Sequence, residues 1–122
     1  MELNDVCTSD HHEAGAVLEV RHPVTDEPTD IRITMRGTDS PTFQKAARVY
    51  NKRKSEKGAD EKATEIACEM LVAVTLNITG ITKDGEPVPF SKEMAMDLYI
   101  RSPGIRTQAE TFITDRKSFA TA

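Results

Sequence analysis

The chain has no tryptophan, only four phenylalanines and two tyrosines, and just two cysteines among its 122 residues. So few aromatics exclude a core built on ring stacking. With 38% hydrophobic residues and five methionines, the core is expected to be modest, aliphatic and Met-rich. Cys7 and Cys68 lie far apart, and two free thiols in a reducing compartment are the simpler reading. There is no apolar run long enough to span a membrane, and MELNDVCTSDHHEAG lacks the apolar stretch of a signal peptide. An intracellular soluble protein is expected. Nor is there an excess of positive charge: 20 acidic against 16 basic residues leave a formal net charge of -4, which disfavours general affinity for nucleic acid.

What is present is one strongly patterned stretch, Asp60 to Thr79. Ile66, Met70, Leu71 and Val74, with Ala63 and Ala67, fall on one face of a helix. Val72, Leu76 and Ile78 widen that face until the second half is apolar nearly all round, so a buried central helix is expected over 60–79. Before it, Ala16–Val20 reads as a strand, His22–Pro28 as turn chemistry, and Ile31–Arg36 alternates apolar and polar residues. A β-hairpin over 16–36 follows. Its Ile31, Ile33 and Met35 face needs cover, because a lone hairpin is marginal in water.

Ser40-Pro41 is a helix start, with Phe43, Ala46, Ala47 and Tyr50 on one face of a helix over 40–54. Asn51 to Lys62 is charged and holds Gly58, a solvated break. Asp84-Gly85, Pro87 and Pro89 mark a turn and an extended piece. Ser91 caps a helix over 91–101, with Met94, Leu98 and Tyr99 inward, and Ser102-Pro103 opens a last helix over 103–117, lined by Ile105, Ala109, Phe112 and Ile113. Residues 1–14 are polar and aperiodic, and are expected as a flexible N-terminus. The fold class is therefore a single small α+β domain over 15–119: an N-terminal hairpin followed by about four helices, helix-dominated.

Few residues invite chemistry. His11-His12 with Asp10 and Glu13 has the composition of a metal cluster but not the spacing, since adjacent side chains point apart. His22 sits before a proline in a turn. Cys68, on the apolar helix, reads as a small buried hydrophobe, with nothing near it in sequence to depress its pKa. No G-x-S-x-G, phosphate loop or paired-carboxylate motif occurs. No catalytic residue, metal or cofactor is expected, and the chain reads as a non-enzyme. Lys45, Arg48, Lys52, Arg53, Lys54 and Lys57 give the first long helix a basic end, which suits either an anionic partner or the helix dipole in solvent. Met70, Met94 and Met96 suit a core more often than an interface, with an adaptable binding surface as the alternative.

Two segments carry a resemblance. HPVTDEPTDIRITMRGTDSPTFQKAARVYNKRK has a P-x-T loop, a short strand and a G-x-D-S helix opening. NITGITKDGEPVPFSKEMAMDLYIRSPGIRTQAETFITDRKSF has a G-x-P-x-P-F-S turn, a P-x-[IL]-x-x-Q step and an F-I-x-D-x-x-x-F ending. Over Pro23 to Phe119 the chain resembles the tail assembly chaperones of long-tailed phages and prophages. It departs from them at Ile81, where a tryptophan is expected. The resemblance implies a chaperone that binds the tape measure protein and recruits tail tube protein while the tube polymerises. It also implies action in the host cytoplasm and absence from the mature virion, with no nucleotide, nucleic acid or membrane involved and a homo-oligomer left open. On that reading Phe90, Leu98, Tyr99, Ile105 and Phe112 are the candidate partner-binding residues. The alternatives are a structural virion component (a tail completion or head–tail connector protein) and a nucleic-acid-binding regulator using the basic helix end.

Overall fold

A computed structural model describes residues 1–120. The chain forms short helices α1 (Leu3–Val6) and α2 (Ser9–Ala14), strands β1 (Ala16–Arg21) and β2 (Pro28–Met35), and helices α3 (Pro41–Lys54) and α4 (Ala63–Val74). Strand β3 (Thr75–Thr79) and a small hairpin of β4 (Thr82–Lys83) and β5 (Glu86–Pro87) follow, then helices α5 (Lys92–Arg101) and α6 (Pro103–Thr114). Two 3-10 turns, Ala59–Lys62 and Arg116–Phe119, precede α4 and follow α6. This is the expected α+β domain: an N-terminal hairpin followed by four helices.

The three helix starts expected from serine form by the expected chemistry. The hydroxyls of Ser40, Ser91 and Ser102 accept from the backbone N–H groups of Phe43, Met94 and Ile105. Each satisfies one amide that the first turn leaves without a helical partner. Pro41 and Pro103, at the first helical positions, have no amide to lose.

The central helix is shorter than expected. It ends at Val74, and 75–79 is a strand. Thr75, Ile78 and Thr79 are β-branched and stiff at χ1, and Ile78 pairs with Ile33 in the middle of an antiparallel ladder to β2. The all-round apolarity of 60–79 is thus the sum of a helix and a strand of which Thr75 and Ile78 are buried. The charged break reaches to Lys62 as a 3-10 turn entered through Gly58 at φ 80°. The last helix stops at Thr114 rather than near 117, because the Asp115 side chain accepts from Lys117 N and opens a new turn.

The hairpin is therefore two strands of a three-stranded sheet, ordered β1-β2-β3. Leu18 stands opposite Ile33 and Ala16 opposite Met35. Val20, Ile33, Met35 and Ile78 are buried on one face, under Ala46, Cys68, Leu71, Val74, Ala95, Tyr99, Ile105, Ala109 and Ile113 from α3 to α6. Val17 and Asn77 on the opposite face are exposed, so the fold has two layers, helices on one side of the sheet. The two segments that carry the resemblance meet at Gly104, where an added Cβ would stand 2.6 Å from Pro23 Cβ. At the outer side of β1, Gln108 of α6 accepts from Arg21 N and donates to Arg21 O, both at 2.8 Å, as a neighbouring strand would.

Candidate functional site

The helical layer presents an open apolar trough. α4 lies between α3 and α5. On its α3 side is a cleft of about 260 Å³ lined by Lys45, Val49, Tyr50, Ile66, Met70 and Ala73 among others. On its α5 side Val72, Ala73, Met96 and Ile100 line a shallower groove. Glu69, Ala73 and Lys92 border both, so the two run together across α4. Val49 is 55% exposed and Ile100 41% exposed, large fractions for aliphatic side chains. Glu69 is not a free charge: Arg53 grips both its oxygens at 3.0 and 3.1 Å.

The candidate residues do not make one surface. Tyr99 is 0% exposed and Ile105 5% exposed; both belong to the core, which corrects their expected place in a partner site. The Tyr99 hydroxyl is 2.7 Å from Thr75 Oγ1, and burial pushes its pKa up to about 12. Thr75 in turn donates to Leu71 O, so this buried pair is fully used. Phe90, Leu98 and Phe112 are half-buried against the core. Leu98 faces a cleft with Ile81, Val88 and Met94 beside the β4–β5 hairpin, while Phe112 packs on Phe119 at 5.4 Å between ring centroids.

Val49 and Ile100 of the trough were hidden in the sequence because each lies just off a core stripe. Val49 sits beside the Phe43, Ala46, Ala47 and Tyr50 face. Met96 and Ile100, four apart, line the side of α5 away from Ala95 and Tyr99. A helix apolar on two sides was the available signal. Of the methionine group, Met70 and Met96 line the trough and Met94 the Leu98 cleft.

The N-terminal residues, expected as a flexible tail, fold as α1 and α2 and hold a buried polar cluster. His12 is 0% exposed. Its ring stacks on Phe119 at 4.5 Å, and Nδ1 accepts from Asp39 N at 3.0 Å. Nδ1 is therefore the unprotonated nitrogen and Nε2 carries the proton, 3.5 Å from Asp39 Oδ2 and without a hydrogen bond. Asp39 is gripped by Arg116 at 2.8 and 2.9 Å and by the Thr8 hydroxyl, contacts that hold its carboxyl down at about 2. Burial depresses the His12 pKa, opposed by the charge of Asp39 and aided by Arg116 and His11. Gly37 lies against the ring, where a Cβ would collide with Nδ1, and its N–H donates to His12 O. Glu13 accepts from Thr42 N and Oγ1 and pairs with Arg36, which keeps its pKa below the usual range.

This arrangement pins α2 to the start of α3 and to the C-terminal turn. Nδ1 of His12 is taken by Asp39 N, while Nε2 is buried without a hydrogen-bond partner. The His11–Glu13 run is split between different partners, and among the described residues no three His, Cys, Asp or Glu side chains gather as a metal site. His22 Nδ1 accepts from Val24 N and Thr25 N, which shapes the hairpin turn. Cys68 is buried, with Arg106 Nη1 3.9 Å from its sulfur, and Cys7 is exposed. No helix among the described residues is long and apolar enough to cross a membrane. Comparison with family models, with curated proteins and with solved structures finds nothing that matches this chain.

Proposed function

We propose that this protein is a non-enzymatic tail assembly chaperone of a long-tailed phage or prophage, which binds the tape measure protein and recruits tail tube subunits. The motif resemblance over Pro23 to Phe119 suggests the family. The observation that carries the mechanism is the trough across α3, α4 and α5, apolar and open in a chain otherwise rich in charge. A tape measure is long, helical and partly apolar, and aggregates unless its apolar stripe is covered before the tube encloses it. A groove lined by methionine and aliphatic side chains receives one face of such a helix without demanding a single sequence. A single-helix contact buries less than the roughly 1,600 Å² of a standard stable interface, which suits a chaperone that must leave.

The test is co-purification of the tagged protein with the tape measure protein of its own phage, paired with mass spectrometry of finished particles. Capture of the tape measure together with absence from the particle is the expected result. Presence in the particle at fixed stoichiometry would replace this reading with that of a structural virion component, such as a tail completion or connector protein.

A further inference from the structure

We infer that the α3–α4 side of the trough is built for an amphipathic helix whose apolar stripe is flanked by carboxylates. This assignment of partner chemistry rests on the chaperone reading for its biological setting, and on charge for its content. α3 carries Lys45, Arg48, Lys52, Arg53 and Lys54 and no acidic residue. Lys45 stands on one wall of the cleft and Lys92, at the start of α5, on the other, with Val49, Ile66, Met70 and Ala73 between them. The one carboxylate in the lining, Glu69, is neutralised by Arg53. Among the described residues neither Lys45 nor Lys92 lies within ion-pair distance of a carboxylate. The cleft thus has an apolar floor and two ammonium groups on its rims that no carboxylate among the described residues meets at ion-pair distance. A helix with its apolar residues down and glutamates along its edges answers both.

The same cations do not make a nucleic-acid groove. Its floor offers bases only Tyr50, whose ring already lies under Lys54 Nζ at 5.3 Å, and the other floor side chains are aliphatic. A second copy of this chain meets the requirement poorly too, because the rim of α3 is uniformly basic and would face itself.

The experiment uses the full chain and two fluorescent helical peptides with one shared Leu/Ala stripe, flanked by glutamate in one and by lysine in the other. The glutamate peptide is expected to bind at least tenfold more tightly at 50 mM salt, with the advantage shrinking at 300 mM. Val49→Asp, at an exposed position, is expected to abolish binding while leaving the melting temperature unchanged. The double variant Lys45→Glu with Lys92→Glu is expected to reverse the preference between the peptides. Equal binding of both peptides, indifference to the charge reversal, or tighter binding of a single-stranded oligonucleotide would each overturn the assignment. Full-length tape measure carried through the same variants separates the two claims. Its capture by the charge-reversed protein at wild-type strength leaves the chaperone standing and removes this groove. Glutamate-peptide binding by a protein that ignores its tape measure keeps the groove and removes the chaperone.

Discussion

His12 is a buried imidazole held neutral, and that fixes the sign of its pH dependence. Its folded pKa lies below the ordinary value of 6.5, so the unfolded chain takes up a proton before the folded one does. The stability that neutral His12 contributes is complete above about pH 6.5 and is lost as pH falls from there towards the depressed folded value. Asp39, held at about 2, acts in a separate window: its share is present above the usual carboxylate range and goes only in strong acid. The melting temperature should therefore drop between pH 7 and pH 5. His12→Asn, which keeps an acceptor for Asp39 N but has nothing to titrate, should be less stable yet lose most of that slope. A slope unchanged in the variant would assign it to other groups. Gly37→Ala tests the same cluster sterically. The new methyl group meets the ring, and a loss of about 2 kcal/mol or more is expected in urea unfolding.

Among the elements, the sheet edge at β1 is the most specific device. Gln108 supplies one donor and one acceptor to Arg21 in the manner of a missing strand, and so ties α6 to the hairpin across the whole sequence. Gln108→Glu keeps the acceptor but sets a carboxylate against the Arg21 carbonyl. A cost of about 1–2 kcal/mol and faster hydrogen exchange at the Arg21 amide are expected. If exchange at Arg21 stays at its wild-type rate, the clamp is not what protects that edge. The elements also show which information the sequence carries locally. Ser40, Ser91 and Ser102 announce their helices because a cap is made by a residue and its neighbour three places on. The α4-to-β3 switch at Thr75 was invisible because Thr75–Thr79 is a strand by virtue of β2, far earlier in the chain. His12 reads as tail in the sequence for the same reason: Asp39, Arg116 and Phe119 are brought to it only by the finished fold.

At the scale of the molecule, the core and the trough are two sides of one helical layer, and they respond differently to change. Tyr99→Phe removes the hydroxyl bonded to Thr75 and should lower stability by about 1 kcal/mol, seen as a shift in the urea midpoint with peptide affinity unaltered once the protein is folded. Val49→Asp should do the opposite, sparing the midpoint and removing the affinity. A variant series in which both readouts always move together would mean that the trough is not a surface distinct from the core. The trough was only half legible in the sequence. Its methionines stood out as adaptable side chains, but Val49 and Ile100 declare themselves only when neighbouring helices leave them bare.

The sheet order has a consequence for synthesis. β2 is the middle strand, yet its second neighbour, β3, comes about forty residues after Met35. At about 5–20 residues per second, a ribosome needs roughly 2–8 s to deliver it. For that interval the emerging chain holds a hairpin with a bare edge, and α3, which emerges between β2 and β3, is the first of the later helices able to shield its apolar face. Slowing translation between the emergence of Met35 and the emergence of Thr75 from the exit tunnel should lengthen this exposed period and raise the fraction of nascent chain lost to aggregation, whereas the same slowing before Met35 has emerged should cost far less.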